Sequence, residues 1–294
     1  MTYQFSDDGI TKNDALNLVK YLQETKTIFC FNLLIRLSEC LIDDEIVHIL
    51  VNSFEKNKSL TYIDLSHNRI GDIGAKRIGE WLLSKPKGNT LLTLKLNDNV
   101  ISVQGAIHFS EMIKVSEQLS ELHLGLNRLQ SEGGVHLLTA IALNKSLVKV
   151  DLSTNVCKNI ILLLKKYFFA IIVLLLKILR VMACVFGGCT LIEMNGPIVE
   201  PLLCVLRGNS HLNELDLSGN VLIDKEAKST SGYIMSQIKQ GLNDKANSLI
   251  LLDLRFCGFD QTDLSDVKKL LLAKQAKHKQ TLRKQLHQIF ISNN

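Results

Sequence analysis

Residues 119–129 read LSELHLGLNRL, and this spacing of leucine and asparagine returns along the chain. The pattern L-x-x-L-x-L-x-x-N-x-L falls here on Leu119, Leu122, Leu124, Asn127 and Leu129. LTYIDLSHNRI repeats it with Leu60, Ile63, Leu65, Asn68 and Ile70, and LLTLKLNDNVI with Leu91, Leu94, Leu96, Asn99 and Ile101. LVKVDLSTNVC carries Leu147, Val150, Leu152 and Asn155; LNELDLSGNVL carries Leu212, Leu215, Leu217, Asn220 and Leu222. Two degenerate copies, NLLIRLSECLI and LILLDLRFCGF, place Cys40 and Cys257 where the others have Asn.

Each part of the pattern has a physical role. The L-x-L core alternates with period two, as a short strand with its leucines turned inward does. The Asn amide can satisfy turn backbone groups that no ladder reaches. Small residues six positions further on, Gly74-Ala75, Gly105-Ala106 and Gly133-Gly134, let a helix start close against the strand layer. Apolar residues then recur at helical spacing: Ala75, Ile78, Trp81, Leu82; Ala106, Phe109, Met112, Ile113; Gly134, Leu137, Ala140, Ile141. One such unit cannot bury its own apolar face, so units must stack. The pattern predicts an α/β leucine-rich-repeat solenoid, a curved horseshoe with short parallel strands on the concave face and helices on the convex face.

The Asn positions are spaced 28 (Cys40–Asn68), 31, 28 and 28 residues apart, then 65 from Asn155 to Asn220 and 37 from Asn220 to Cys257. The helix-bearing unit of about 28 residues resembles the ribonuclease-inhibitor type of repeat. That type occurs in ribonuclease inhibitor, the Ran GTPase-activating protein and the sensor ends of NACHT-domain receptors. The resemblance covers roughly residues 11–259 outside an interruption. The expected organisation is a solenoid over 1–259, interrupted at 156–192, then a capping helix and basic tail over 260–294. Residues 11–23 read as the helix half of a unit whose strand is expected before Met1, so either N-terminal sequence is missing or a partner covers that end.

The interval of 65 holds one 28-residue unit and about 37 foreign residues. Counting back from Leu212 recovers Leu202, Val205 and Leu206 at helix positions, so the repeat resumes near Gly196. Three readings of the apolar, basic segment 156–192 stand. A membrane helix over Tyr167–Phe186 would place Lys177 and Arg180 in the bilayer. Two such charges cost roughly 5–7 kcal/mol, about what some 15 apolar residues return. The segment could instead form a helix packed on the solenoid or a partner. The lack of repeat register and the clean resumption favour the third reading, a retained intervening sequence.

Charge is unevenly placed. The chain has 294 residues and a net charge of +5. Segment 156–192 holds five basic residues and no acid. Residues 268–284 hold seven (Lys268, Lys269, Lys274, Lys277, Lys279, Arg283, Lys284) and no acid, so the remainder nets −7. The basic helix suits solvent or an acidic surface such as the tubulin tails. It lacks interleaved aromatics, so nucleic acid is not expected as a partner. The seven scattered cysteines and the polar start MTYQFSDDGITKND predict a reduced, cytoplasmic setting.

No phosphate-binding loop, dinucleotide fingerprint, H-E-x-x-H or G-x-S-x-G is present. The chain is expected to be non-catalytic, with no cofactor and no metal. What remains is a surface. The middle residues of L-x-L form one column: Arg36, Asp64, Lys95, His123, Asp151, Asp216 and Asp253. They are flanked by Tyr62, Thr93, Glu121, Lys149 and Glu214 on one side and Ser38, Ser66, Asn97, Ser153, Ser218 and Arg255 on the other. Strand-borne side chains at fixed spacing suit a protein partner, although any single one can serve only to keep the sheet soluble.

Two stretches carry a narrower likeness. LHLGLNRLQSEGGVHLLTAIALNKSLVKVDLSTN (122–155) has L-N-R-L, E-G-G and N-K-S-L. NSLILLDLRFCGFDQTDLSDVKKLLLAKQAKHKQ (247–280) has a D-L-R strand and a helix with a basic exit. Together they resemble the C-terminal repeats of the dynein regulatory complex subunit five family of axonemal leucine-rich-repeat proteins. The resemblance implies a structural and regulatory scaffold in the nexin link of cilia or flagella, located in the cytoplasm, cytoskeleton and axoneme. The implied partners are other axonemal subunits or tubulin. The family's long N-terminal region has no counterpart here. The alternatives are a soluble regulator (an inhibitor, a GTPase-activating protein or a NACHT-receptor-like chain) and a membrane-anchored repeat protein using 156–192. No catalytic arginine for GTPase activation is identifiable.

Overall fold

Strand, turn and helix recur in the order that the leucine spacing predicts. The computed structural model describes residues 2–4, 13–14, 16–18, 20, 33–55, 57–84, 89–155, 199–220, 222, 228–244 and 247–292. The strands are β1 (Thr2–Gln4), β2 (Leu33–Arg36), β3 (Leu60–Asp64), β4 (Thr93–Lys95), β5 (Glu121–His123), β6 (Lys149–Asp151), β7 (Glu214–Asp216) and β8 (Leu251–Asp253). They form one sheet in sequential order, and every pairing is parallel. The helices are α1 (Asp44–Phe54), α2 (Asp72–Ser84), α3 (Val103–Val115), α4 (Gln130–Leu143), α5 (Val199–Gly208), α6 (Lys228–Asn243) and α7 (Gln261–Ser292). This is a leucine-rich-repeat solenoid.

The repeated leucines close the core between the sheet and the helix layer. Ile35, Ile63, Leu94, Leu122, Val150, Leu215 and Leu252 stack from strand to strand, all buried. The helix positions read from the sequence are buried too, from Ala75 and Trp81 to Leu137 and Ile141, and Leu202, Val205 and Leu206 beyond the interruption.

The helices begin two or three residues earlier than the glycine pairs suggest. α2 starts at Asp72, α3 at Val103 and α4 at Gln130. At α2 and α3 the start coincides with side-chain capping, whereas α4 begins after Leu129 with no side-chain cap. Asp72 at the head of α2 accepts from the Ser102 amide (2.7 Å), the Ser102 hydroxyl (2.5 Å) and the Gly105 amide (2.9 Å) at the head of α3. Asp44 does the same one unit earlier, accepting from the Gly71 amide at 2.7 Å. A carboxylate also suits the positive end of each helix dipole. The glycines sit in the first turn because neighbouring first turns touch there. A Cβ on Gly105 would lie 2.5 Å from Ile101 Cγ2 and 2.8 Å from Asp72 Oδ1.

The first strand is a correction. It does not precede Met1. Thr2–Gln4 pairs with β2 in register, Thr2 with Leu34 and Gln4 with Arg36. A three-residue edge strand carries almost no leucine signal, which hid it in the sequence.

Across the interruption the solenoid is continuous. β6 pairs directly with β7, Val150 opposite Leu215. The Asn155 amide donates to Asn220 Oδ1 at 2.9 Å, and Asn209 Nδ2 reaches Ile141 O at 2.7 Å. Segment 156–192, including its expected membrane span Tyr167–Phe186, lies outside the described residues. Among the described residues no helix is long and apolar enough to cross a membrane.

Candidate functional site: the concave sheet face

The seven residues read as one column do form one row. Strand register sets Gln4, Arg36, Asp64, Lys95, His123, Asp151, Asp216 and Asp253 side by side in that order. They stand on the face turned away from the helices, because they alternate with the buried leucines. The flanking residues Tyr62, Thr93, Glu121, Lys149 and Glu214 are likewise in register.

The turns below the row are held by the asparagine ladder. Asn68 Oδ1 accepts from the amides of Cys40 (3.1 Å) and Ile42 (2.9 Å), and its Nδ2 donates to the carbonyls of Leu37, Leu65 and Ser66. Asn99, Asn127 and Asn155 repeat the arrangement, each tying its unit to the previous one. Asn220 donates to Leu152 and Leu217. At the ends Cys40 Sγ meets Ser38 O at 3.2 Å and Cys257 Sγ meets Leu217 O at 3.1 Å. The residue before each ladder position has positive φ: Glu39, His67, Asp98, Leu126, Thr154, Gly219 and Phe256. The chain must turn left-handed there to bring the amide inward.

A second asparagine ladder escaped the sequence reading. Asn144 Nδ2 donates to Ile113 O (2.7 Å) and Ser116 O (3.1 Å), Asn209 to Ile141 and Asn144, and Asn247 to Leu206. It lies where helix returns to strand. The signal that could have found it is Asn two or three residues before the first leucine of a unit, at Asn57, Asn89, Asn144, Asn209 and Asn247.

The aspartates of the row have a local task. The Oδ1 atoms of Asp64, Asp151, Asp216 and Asp253 each accept from the amide two residues on, in Ser66, Ser153, Ser218 and Arg255, at 2.9–3.1 Å. Asp151 goes furthest. It also takes the Ser153 hydroxyl (2.7 Å) and Asn97 Nδ2 (3.1 Å), and His123 Nδ1 lies 3.7 Å away. Burial alone would raise its pKa. The His123 ring and the Ser153 hydroxyl and amide outweigh that and hold it at about 2. His123 is not an open surface group, since only 8% of it is exposed. Its neighbours Glu121 and Asp151 wall it in.

Charge along the face is partly neutralised. Lys149 pairs with Glu214 at 2.8 Å, and exposed Arg255 with Asp253 at 2.6 Å. At the other end Arg36 Cζ and Lys95 Nζ each lie 5.5 Å from the centre of the Tyr62 ring, whose hydroxyl donates to Asp64 Oδ2 at 3.1 Å.

The C-terminal helix divides in two. Val267 and Leu271 are buried, Lys239 of α6 bridges Asp263 (3.3 Å) and Asp266 (3.0 Å), and Gln275 Nε2 donates to Ile250 O beside β8. Lys274, read as part of the basic tail, belongs to this cap. Its Nζ donates to Asn247 O (3.0 Å) and Oδ1 (2.8 Å), and burial lowers its pKa. Lys268, Lys269, Lys277 and Lys279 are exposed. Arg283 and Lys284 lie on the helix, but their side chains are outside the described set. Among the described residues no group of three His, Cys, Asp or Glu could hold a metal ion. Cys40 and Cys257 are buried and Cys204 is partly buried.

Repeat geometry, ladder and sheet define a leucine-rich-repeat solenoid. A family profile described as Leucine Rich repeat matches residues 56–79 and 208–226. The chain is similar to NACHT, LRR and PYD domains-containing protein 14 of Mus musculus, 28% identical over 217 residues, covering 65% of this chain and 21% of that protein. NACHT, LRR and PYD domains-containing protein 4E of the same species is 28% identical over 102 residues, covering 35% of this chain and 10% of that protein. The chain thus spans about a fifth or less of the length of these relatives. Among solved structures, Leiomodin-1 Actin-Binding Site 2 aligns with a TM-score of 0.41 and 16% identity, over 60% of this chain and 96% of that one.

Proposed function

We propose that this chain is a non-catalytic scaffold that binds a protein partner across the concave sheet face. The observation that carries the reading is the single in-register row from Arg36 to Asp253, built from seven separate units. Such a row has a fixed pitch of about 4.8 Å per strand, which suits an extended protein surface better than a small molecule. The L-N-R-L and D-L-R resemblance supports a place in the axonemal nexin–dynein regulatory complex, and hence in the cytoplasm and ciliary cytoskeleton. Its partners there would be other axonemal subunits or tubulin. The 28% identity to two NACHT- and LRR-containing proteins favours a second home, as the sensor-like repeats of a soluble regulator.

The test uses asparagine, because Asn keeps the Oδ1 acceptor of the turn; at Asp151 and Asp253 it also gives up the Oδ2 contacts to Asn97 and Arg255, so the fold of the variant is checked by circular dichroism. Asp151→Asn, Asp216→Asn and Asp253→Asn are combined, with Lys76→Gln plus Glu80→Gln on α2 as the control. Quantitative capture from extracts of ciliated cells should show a partner lost from the triple variant and kept by the control. Tagged protein should co-sediment with axonemes if the first home is right. Unchanged capture by the triple variant would sink the concave-face reading.

A further inference from the structure

Among the described residues, the row has one place where two cations make no direct ion pair. Arg36 on β2 and Lys95 on β4 come from the strands on either side of Tyr62 and share its ring, each 5.5 Å from the centroid. Among the described residues neither forms an ion pair with a carboxylate, whereas Lys149 and Arg255 further along the face both do. Asp64, the acid nearest in the row, is already engaged by the Tyr62 hydroxyl and the Ser66 amide. Stacking on the ring face holds the two cations in place and leaves their outer donors free.

We propose that Arg36 and Lys95, seated on Tyr62, receive the carboxylates of an acidic peptide segment of the protein partner. The proposal rests on the concave-face reading and deepens it. Two features favour a run of carboxylates over one compact dianion. The cations arise from backbones two strands apart, about 10 Å, so they offer two contact points rather than one cradle. The fixed Asp64 carboxylate stands between them in the row and repels a concentrated double charge. An extended segment crossing the strands can place successive acids on Arg36 and Lys95 and pass over Asp64.

The probe is fluorescein-labelled hexaglutamate, titrated against the full chain by anisotropy at low and at physiological salt. Binding should weaken with salt, and hexalysine should not compete. Arg36→Gln with Lys95→Gln should weaken binding about tenfold with an unchanged circular dichroism spectrum. Tyr62→Leu should weaken it as well, because the cations lose their platform, while Tyr62→Phe keeps the ring and should retain it. Glutamine at Lys268, Lys269, Lys277 and Lys279 should leave the affinity unchanged. No binding by the wild type, equal binding by the double variant, loss only in the tail variant, or displacement by inorganic phosphate at constant ionic strength would each overturn the proposal. If it fails while the triple Asp→Asn variant still loses its partner, the concave-face reading stands without it.

Discussion

At the residue scale the ladder positions bear the fold. Asn127 is buried and makes four hydrogen bonds, with Ile101, Leu96, Leu124 and Gly125. Asn127→Ala strands those backbone groups in a dry interior and should lower stability by about 3 kcal/mol, read as a fall in denaturation midpoint. The residue beside it makes the opposite prediction. Leu126 is half exposed at φ +56°. Leu126→Gly relieves a left-handed conformation that costs an L-residue about 1–2 kcal/mol and gives part of that back in chain entropy. A gain of about 0.5–1 kcal/mol is expected in the same assay. Asp151 predicts the acid limb. Its folded pKa of about 2 lies below the ordinary 3.8, so its contribution is full above pH 4 and is lost as pH falls through 2. Asp151→Asn should flatten the stability profile between pH 4 and 2. The aspartates were legible in the sequence, but their local hydrogen bonds were not, because an L-D-L-S string looks the same whether the acid faces a partner or its own turn.

At the scale of elements, α1, α2 and α3 are linked head to head by carboxylates. Asp72 holds the first turn of α3 through Ser102 and Gly105, although it belongs to α2. Asp72→Ala should destabilise by about 1–2 kcal/mol, the range of a lost cap. Hydrogen exchange should rise at the amides of Ser102 and Gly105 at the head of α3 rather than within α2 itself. A cap in cis would show the reverse. The sequence pattern located these helices through their apolar spacing and misplaced their starts, since a capping partner 30 residues away leaves no local signature. The second asparagine ladder was missed for the same reason: its contacts join turns of neighbouring units.

At the scale of the whole molecule, the solenoid behaves as a stack in which each unit touches only its neighbours. Units 147–155 and 199–217 meet as any adjacent pair does, through β6–β7 and both asparagine ladders. Deleting 156–192 joins Asn155 to Glu193 and restores a spacing of 28 between Asn155 and Asn220. The deleted protein should keep its circular dichroism signature and melt at the same temperature or higher, since a shorter connection lowers the entropy of closing the loop. Loss of cooperative unfolding would show that 156–192 contributes to the stack.

The sequence by itself determined the repeat, its period, the strand and helix order, the buried face and the column of solvent-facing residues. All of these follow from local periodicity and from the need of each unit to bury one apolar side. Only the tertiary structure decided which of the residues singled out in the sequence are already engaged within the fold. Asp151, His123 and Lys274 are absorbed by contacts from neighbouring units, and Arg36 and Lys95 are drawn onto one tyrosine from two different strands. Those pairings join residues 26 to 54 positions apart. They exist only once the units are stacked in register, and a linear pattern of residue types does not carry them.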